Sequence, residues 1–269
     1  MRRWAPAALA AVALACLVAA VLPRAVPDAS ADDHHGPVLR ILTANLFRSK
    51  ADAVQLIRLA RQRDVDLLAV QELTPSGARR LERAGVSAFL PHSYLATSSS
   101  VFGSGIYSRY PLRRRGAPAL PFRMPRARLR LPAGLRVDVV SVHPYPPSGP
   151  KAVSDWTDAL RSLPAAGTGP LGVLAGDFNA TLDHDELRRV LERGWFDAAD
   201  ATGEGLTPTW PVGELLPPPV TIDHVLIDER AGVREYEVLD LRGSDHRPVY
   251  AEVALGSADS RMGAVRRGQ

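Results

Sequence analysis

Cysteine is almost absent from the sequence. The single cysteine, Cys16, lies in an apolar leader near the N-terminus, so the rest of the 269-residue chain can form no disulfide. A structural zinc site built on cysteines is excluded for the same reason. Internal repeats of roughly 20–50 residues are also absent, which argues against a solenoid or a propeller. The domain must therefore be stabilised by its hydrophobic core, which a chain of this length can supply.

The first 31 residues differ in composition from the remainder. A basic start, "MRR", precedes residues 4–22, which carry no charge, and the small residues "ASA" at 29–31 resemble a cleavage site. This pattern is typical of a secretory signal peptide. An uncleaved membrane anchor through residues 4–22 is the alternative, because a segment of that length could nearly span a bilayer. Either interpretation predicts a secreted or extracytoplasmic protein.

The charge of the chain gives little guidance to its partners. The net charge of +4 falls to +2 without the leader, which holds three arginines and one aspartate. Arginine is nevertheless concentrated in residues 109–136, which contain nine arginines and no acid. Within this segment Arg126, Arg128 and Arg130 alternate with apolar residues, so they should share one face of a strand. That face is predicted either to be solvated or to contact substrate phosphates.

Strand-like and helix-like segments alternate between residues 38 and 255. Such alternation predicts an α/β domain. The clearest helical segments are residues 49–63, 154–163 and 183–194. The first of them opens with Ser49 and Asp52 in the spacing of a capping box. Residues 32–37 before the domain are predicted to be a tether, and residues 256–269 after it a basic tail.

Polar side chains stand at the ends of several apolar strands. These residues are Asn45, Glu72, His143, Asp177, Asn179, Asp223, Asp245 and His246. Asp177 and Asn179 lie two apart, so both can face one cleft, and ligands of α/β sheets gather at strand ends. Carboxylate and amide oxygens suit a hard cation such as Mg²⁺, while imidazole and amide N–H groups suit phosphate oxygens. Phosphoryl transfer requires that combination.

The order of these residues and their flanking motifs resembles the endonuclease/exonuclease/phosphatase superfamily of deoxyribonuclease I-like, metal-dependent phosphodiesterases. The motifs are "TANLF", "VQE", "SGIYSRYPL", "SVH", "GDFNA", "IDHVLI" and "SDHRPV", which extend from about Ile41 to Val253. The superfamily includes nucleases, abasic-site endonucleases, neutral sphingomyelinases and inositol-polyphosphate 5-phosphatases. The resemblance implies a four-layer α/β sandwich, in which two packed mixed β-sheets are flanked by helices.

The resemblance also implies a metal site and a base. Asn45 and Glu72 would hold Mg²⁺, or Mn²⁺ in its place, with Asp245 adjacent. Asp177 would orient and deprotonate the attacking water.

The remaining roles concern the phosphate. Asn179 and His143 would grip it, and His246, paired with Asp223, would stabilise the charge of the transition state. In an alternative account of the superfamily, His246 is the base. Trp210 could line the substrate groove or pack within its loop.

The sequence therefore predicts a monomeric, exported, Mg²⁺-dependent phosphodiesterase that acts on nucleic acid or a lipid head group. A nuclease-like activity is the leading prediction. A phospholipase, sphingomyelinase or inositol-phosphatase type of hydrolase is the alternative, and a catalytically inactive binding module on the same fold is the third. Abasic-site enzymes of the superfamily often carry tyrosine at the position of His143, which disfavours that activity. An aromatic membrane-binding hairpin of the bacterial sphingomyelinase kind is not evident.

Overall fold

Two six-stranded sheets form the centre of the protein in the computed structural model, which describes residues 4–28, 36–116, 122–167, 169–213 and 217–256. Its strands are β1 (Val38–Asn45), β2 (Leu67–Gln71), β3 (His92–Ala96), β4 (Ser104–Ser108), β5 (Leu112–Arg114), β6 (Arg126–Arg130), β7 (Arg136–Val142), β8 (Leu171–Asp177), β9 (Trp195–Asp197), β10 (Asp223–Asp228), β11 (Gly232–Val238) and β12 (Val249–Ala254). The first sheet has the order β11-β12-β1-β2-β4-β3 and the second the order β5-β6-β7-β8-β10-β9.

Each sheet contains one parallel pair at its centre. Strands β1 and β2 run parallel in the first sheet, and β7 and β8 run parallel in the second. Their other neighbours are antiparallel. The parallel pairs bring the carboxyl ends of four strands to one edge of the two sheets, where loops carry the polar residues that follow β1, β2, β7 and β8.

The helices are α1 (Ala5–Val21), α2 (Ala53–Gln62), α3 (Pro75–Arg83), α4 (Pro150–Arg161), α5 (Asp185–Leu191) and α6 (Ala198–Ala201). Helices α2 and α3 pack on the outer face of the first sheet, and α4 and α5 pack on the outer face of the second. Helix α2 begins at Ala53 because the carboxylate of Asp52 accepts a hydrogen bond from the backbone N–H of Gln55. Ser49 is therefore not the cap of this helix, contrary to the capping-box prediction.

The hydrophobic core has three layers, because strand residues alternate between the two faces of each sheet. Ile41 and Val139 lie in the layer between the sheets. Leu56 of α2 packs in the layer on the outer face of the first sheet. Leu160 of α4 packs with Leu174 of β8 in the layer outside the second sheet. The predicted four-layer α/β sandwich is confirmed.

Helix α1 and the turn after it belong to the predicted leader. The large apolar side chains of α1 are exposed, for example Leu9 and Leu14. Among the residues described, no helix has the length and apolar character needed to cross a membrane. Arg24, just after α1, forms a two-pronged ion pair with Asp183. The predicted cleavage site at 29–31, most of the tether and nearly all of the basic tail lie outside the described residues.

Candidate active site

The two sheets meet through a hydrogen bond between the ends of β1 and β8. The Nδ2 atom of Asn45 lies 3.0 Å from Oδ2 of Asp177, and both side chains are buried. Each residue is the last of its strand. The candidate site therefore lies at the joint edge of the sheets, where β1 contributes one wall and β8 the other.

Asp177 is the centre of the polar cluster. Its Oδ2 lies 3.7 Å from Nε2 of His143 and 3.7 Å from Nε2 of His246. Its Oδ1 accepts a hydrogen bond of 2.8 Å from the backbone N–H of Asn179. Burial raises the pKa of Asp177, while His246 lowers it and Asp223 raises it further. A carboxylate in this position can take a proton from a group in the cleft.

His246 is held by a second carboxylate. Its Nδ1 lies 2.8 Å from Oδ2 of Asp223, and both residues are buried. Burial alone would lower the pKa of His246, but Asp223 and Asp177 reverse that effect and raise it to about 10. The hydroxyl of Thr209 accepts hydrogen bonds of 3.1 Å from the backbone N–H groups of Ile222 and Asp223, which fixes the start of β10. His246 is thus a positioned imidazolium.

His143 is the neutral imidazole of the site. Burial is the main cause that lowers its pKa to about 4, against the opposing effect of Asp177. The ring of Phe122 packs edge-on against it with centroids 4.9 Å apart. Its Nδ1 is buried and has no hydrogen-bond partner among the residues described. A neutral ring can still donate one N–H bond to a ligand oxygen.

Asn179 lies in a left-handed backbone conformation, with a φ of 49°. Its amide Nδ2 donates to the carbonyl oxygen of Pro144 at 3.2 Å. An amide carries two N–H donors, so the second remains for a ligand. The strand periodicity from which a common face of Asp177 and Asn179 was predicted does not apply, because Asn179 lies beyond the end of β8. A tight turn joins the two residues instead, and the N–H of Asn179 binds the carboxylate two residues back.

Glu72 and Asn45 offer oxygens that suit a divalent cation. The Oε1 atom of Glu72 lies 3.5 Å from Nδ2 of Asn45. Burial raises the pKa of Glu72, and Asp177 adds to that effect. A bound cation would offset this unfavourable burial of negative charge. The Oδ1 atom of Asn45 accepts one hydrogen bond, from Phe47 N–H at 3.0 Å, and keeps a second lone pair.

Asp245 supplies the clearest unsatisfied oxygen. Its Oδ2 accepts a hydrogen bond of 3.4 Å from the indole N–H of Trp210, whereas its Oδ1 is buried without a partner in the described part of the chain. Buried carboxylate oxygens normally have partners. The donor set predicted from the sequence, Asn45, Glu72 and Asp245, therefore fits an oxygen-seeking cation.

A second cluster competes as a metal site. Ligand atoms of Asp177, Asp223 and His246 all lie within 4.8 Å of one another. The Nδ1 of His246 is, however, already shared with Asp223, and the raised pKa of His246 keeps the ring protonated. An imidazolium has no free lone pair for a metal. These three residues fit a hydrogen-bonded charge network better than a cation site, so the assignment of the metal to Asn45, Glu72 and Asp245 stays the prediction.

The arginine face of β6 makes most of its contacts within the protein. Arg126 donates to the carbonyl oxygen of Ser162 at the end of α4, and Arg128 forms a two-pronged ion pair with Asp138 on β7. Only Arg130 is exposed, at the far end of the strand. The predicted alternation of the strand is confirmed. The pairing of two arginines within the protein favours the solvated strand face over a substrate-contacting patch.

Trp210 does lie at the site. Its indole binds Asp245, and its ring centroid is 6.2 Å from that of His246. The side chain is half-buried, so one part packs against the protein and the rest borders the cleft. Of the two interpretations left open by the sequence, this contact favours the wall of the substrate groove.

Two supporting residues had no predicted role, although both lie in quoted motifs. The hydroxyl of Ser244, in "SDHRPV", donates to the carbonyl oxygen of Asn45 at 2.7 Å and accepts the N–H of His246 at 3.1 Å. The amide of Gln71, in "VQE", donates to the hydroxyl of Ser141 at 3.2 Å and so links the two sheets beneath the site. The only signal in the sequence was their position beside predicted ligands.

Comparison with known proteins identifies the family. The model of the Endonuclease/Exonuclease/phosphatase family matches residues 42–246, which include every predicted catalytic and metal residue. The chain belongs to this family. This match confirms the predicted superfamily. Members of the Endonuclease/Exonuclease/phosphatase family are phosphoester hydrolases that depend on divalent metals. A comparison with curated proteins found no significant match.

Several solved structures share the fold of this chain. A protein of Beutenbergia cavernae DSM 12333 is 19% identical, with 82% of this chain and 72% of that chain covered and a TM-score of 0.62. The TDP2 of D. rerio, complexed with a single-strand DNA product, is 18% identical, with 80% and 98% covered and a TM-score of 0.62. Sphingomyelinase C of Streptomyces griseocarneus is 19% identical, with 80% and 99% covered and a TM-score of 0.55.

Proposed function

We propose that this protein is an exported, monomeric, Mg²⁺-dependent phosphodiesterase of the nuclease type. The observation that carries the proposal is the position of the Asp177 carboxylate, 3.7 Å from the Nε2 atoms of both His143 and His246. One ring is neutral and the other is charged, so a base, a neutral donor and a cationic donor meet at one point. Hydrolysis of a phosphate ester by water needs those three groups.

The reaction begins with a water molecule beside Asp177. The Oδ2 atom of Asp177 accepts the proton of this water, and the water oxygen forms a bond to phosphorus while the ester P–O bond breaks and the leaving oxygen takes a proton from solvent. The raised pKa of Asp177 makes it a better base near neutral pH than an ordinary aspartate. The hydrogen bond from Asn45 keeps the carboxylate oriented.

Hydrogen-bond donors from three other side chains hold the phosphate. The free amide N–H of Asn179 and the Nε2–H of neutral His143 bind non-bridging oxygens. The imidazolium of His246, fixed by Asp223, faces the negative charge that develops on the phosphorane oxygens. Asn45, Glu72 and Asp245 would hold the cation, which would supply Lewis-acid polarisation of a phosphoryl oxygen.

We propose nucleic acid as the substrate, in preference to a lipid head group. Relatives at 18% and 19% identity include a DNA-bound TDP2 and a sphingomyelinase C, so the likeness in fold does not separate the two. The test is a panel of supercoiled DNA, RNA, sphingomyelin and inositol phosphates, incubated with Mg²⁺ and wild-type protein, with Asp177→Asn as the matched control. Hydrolysis of DNA or RNA by the wild type alone supports the proposal. Hydrolysis only of sphingomyelin or inositol phosphates supports the alternative, and a folded wild type that is inactive on the whole panel supports a binding module.

Export with cleavage after residue 31 is part of the proposal. It rests on the basic, apolar and small-residue segments of the leader. Cleavage there removes Arg24 and its ion pair with Asp183, which leaves Asp183 only an exposed contact of 3.5 Å with Arg188. The secreted form should therefore tolerate Asp183→Asn with little change in melting temperature. Intact-mass analysis of the secreted protein is the direct test. A membrane-bound form that retains residues 4–22 would favour the anchor instead.

A further inference from the structure

The loop after β1 contains three consecutive non-glycine residues in a left-handed conformation. The φ angles are 44° for Phe47, 54° for Arg48 and 60° for Ser49. Each such residue costs of the order of 1 kcal/mol, and a run of three is unusual. Backbone strain of this kind persists only when surrounding contacts hold it, and it clusters at functional sites.

The contacts that hold this turn come from the candidate metal residues. The N–H of Phe47 donates to Oδ1 of Asn45 at 3.0 Å, and the N–H of Arg48 donates to Oε2 of Glu72 at 2.6 Å. The hydroxyl of Ser49 donates to the backbone carbonyl of Glu72 at 3.1 Å. The turn is therefore built onto the wall of the cleft and places the backbone N–H of Arg48 against the Glu72 carboxylate.

The turn packs closely against two glycines, Gly77 and Gly243. A Cβ atom at Gly77 would lie 2.1 Å from the hydroxyl oxygen of Ser49. A Cβ atom at Gly243 would lie 2.7 Å from the carbonyl oxygen of Lys50, next to the loop that carries Asp245. The protein thus packs closely against Ser49 and Lys50, whereas the side chain of Arg48 between them and Phe47 is exposed to solvent.

The charge of Arg48 is not paired with an acidic side chain in the part of the chain that the structure describes. Its guanidinium has no ion pair or hydrogen bond to a described residue, although its backbone N–H binds Glu72. Nearby arginines differ, because Arg242 pairs with Asp52 and Arg247 with Asp240. A strained turn that displays an unpaired arginine at the mouth of a site points to an anionic ligand.

We propose that Arg48 binds the phosphate adjoining the scissile phosphate on a nucleic-acid strand. The inference rests on the proposed function and names the substrate contact that this site uses. Arginine recognises phosphate with two parallel N–H bonds. Trp210 borders the other side of the site at Asp245 and offers a face on which a base can stack. A phosphate contact and a stacking face together match one nucleotide unit of a strand.

A lipid surface fits this mouth less well. The described residues of the domain expose four large apolar side chains, Val54, Val153, Leu206 and Val212. Two of them lie on separate helices and the other two on the loop between α6 and β10, so they form no continuous apolar rim around Arg48. Binding to a bilayer requires such an apolar area in addition to positive charge.

The binding test uses the inactive Asp177→Asn protein with Mg²⁺ and a short fluorescent single-stranded oligonucleotide. Arg48→Gln in this background keeps the backbone N–H bond to Glu72 and removes the charge. It should flatten the log–log salt dependence of affinity by about 0.7, the value for one phosphate contact on a single strand. Arg58→Gln is the matched control, because Arg58 is an exposed arginine on the outer helix α2. An unchanged slope in Arg48→Gln, or an equal change in Arg58→Gln, overturns the assignment.

The kinetic test separates the adjoining phosphate from the scissile one. With Mg²⁺, Arg48→Gln should lower kcat/KM at least ~10-fold more for the oligonucleotide than for bis(p-nitrophenyl) phosphate, which has a single phosphate. Arg48→Lys should recover part of the loss, since it keeps the charge but not the two-pronged geometry. Equal losses on both substrates overturn the inference and leave the phosphodiesterase function intact. A wild type that hydrolyses neither substrate contradicts the proposed function itself.

Discussion

The Nδ1 atom of His224 lies 2.7 Å from Oδ2 of Asp197, and both side chains are fully buried. The other ring nitrogen, Nε2, lies 2.8 Å from the carbonyl oxygen of Ala180, directly after Asn179. Both partners are acceptors, so both nitrogens donate and the ring is an imidazolium. This buried ion pair ties the turn that carries Asn179 to the start of α6.

Asp197→Asn should destabilise the protein by about 3 kcal/mol near pH 6, because it leaves the charge of His224 buried and unpaired. Asparagine keeps the cap of α6, so the ion pair is the main loss. Burial alone lowers the pKa of His224, but Asp197 and the hydrogen bonds outweigh it and raise the pKa. The stabilisation is complete below the unfolded pKa of about 6.5 and is lost as the pH rises through the folded pKa.

Chemical unfolding of both proteins across the pH range checks this prediction. The difference between wild type and Asp197→Asn should shrink toward alkaline pH. Asp138→Asn is the control, since it breaks the part-exposed pair with Arg128 and should cost less than about 1 kcal/mol. A difference for Asp197→Asn that is independent of pH would contradict the buried imidazolium.

Metal removal should abolish hydrolysis. EDTA should eliminate activity, and Mg²⁺ or Mn²⁺ should restore it, because Asp245 has a buried carboxylate oxygen without a partner among the described residues and burial raises the pKa of the neighbouring Glu72. Mg²⁺ should also raise the melting temperature of the wild type, and less so that of Glu72→Gln. Asp155→Asn, on the exposed surface of α4, serves as the control. Full activity in chelator, with the metal shown to be absent, would remove the metal from the mechanism.

Asp177→Asn and His246→Ala should each lower kcat at least ~10²-fold, the scale for loss of a general base or of a charge-stabilising donor. Asp177→Asn is isosteric and removes a buried charge whose pKa is raised, so its melting temperature should not fall. Steady-state kinetics with circular dichroism separate the two effects. A folded Asp177→Asn with a wild-type kcat would exclude Asp177 as the base.

The two site histidines should not titrate near neutral pH in the metal-free protein. His143, with a pKa lowered to about 4, should remain neutral, and His246, with a pKa raised to about 10, should remain charged. Ring-proton NMR shifts between about pH 6 and 8 should therefore be flat for both, with His143→Gln and His246→Gln used for assignment. An inflection near 6.5, the ordinary histidine value, at either residue would show that its carboxylate contacts or burial differ from those described.

The secondary-structure elements and the local chemistry follow from the sequence alone. Apolar runs predicted the strands, and the positions of Asn45, Glu72 and Asp177 at strand ends predicted a shared edge. These features depend on periodicity and on neighbours a few residues away, which sequence patterns record. The four layers came from the likeness of the ordered motifs to a known superfamily. Ser49 shows the limit of local reasoning, because its hydroxyl binds Glu72 and Thr74 instead of capping α2.

Which polar groups come into contact depends on the packing of the two sheets. Asn45 and Asp177 are 132 residues apart in the chain, and their hydrogen bond exists because the two sheets pack face to face. The same packing gives Arg128 its partner on β7 while Arg48 has none among the described residues. Two arginines of equal charge thus receive opposite roles, because the partner of a long charged side chain depends on which surface the fold brings against it.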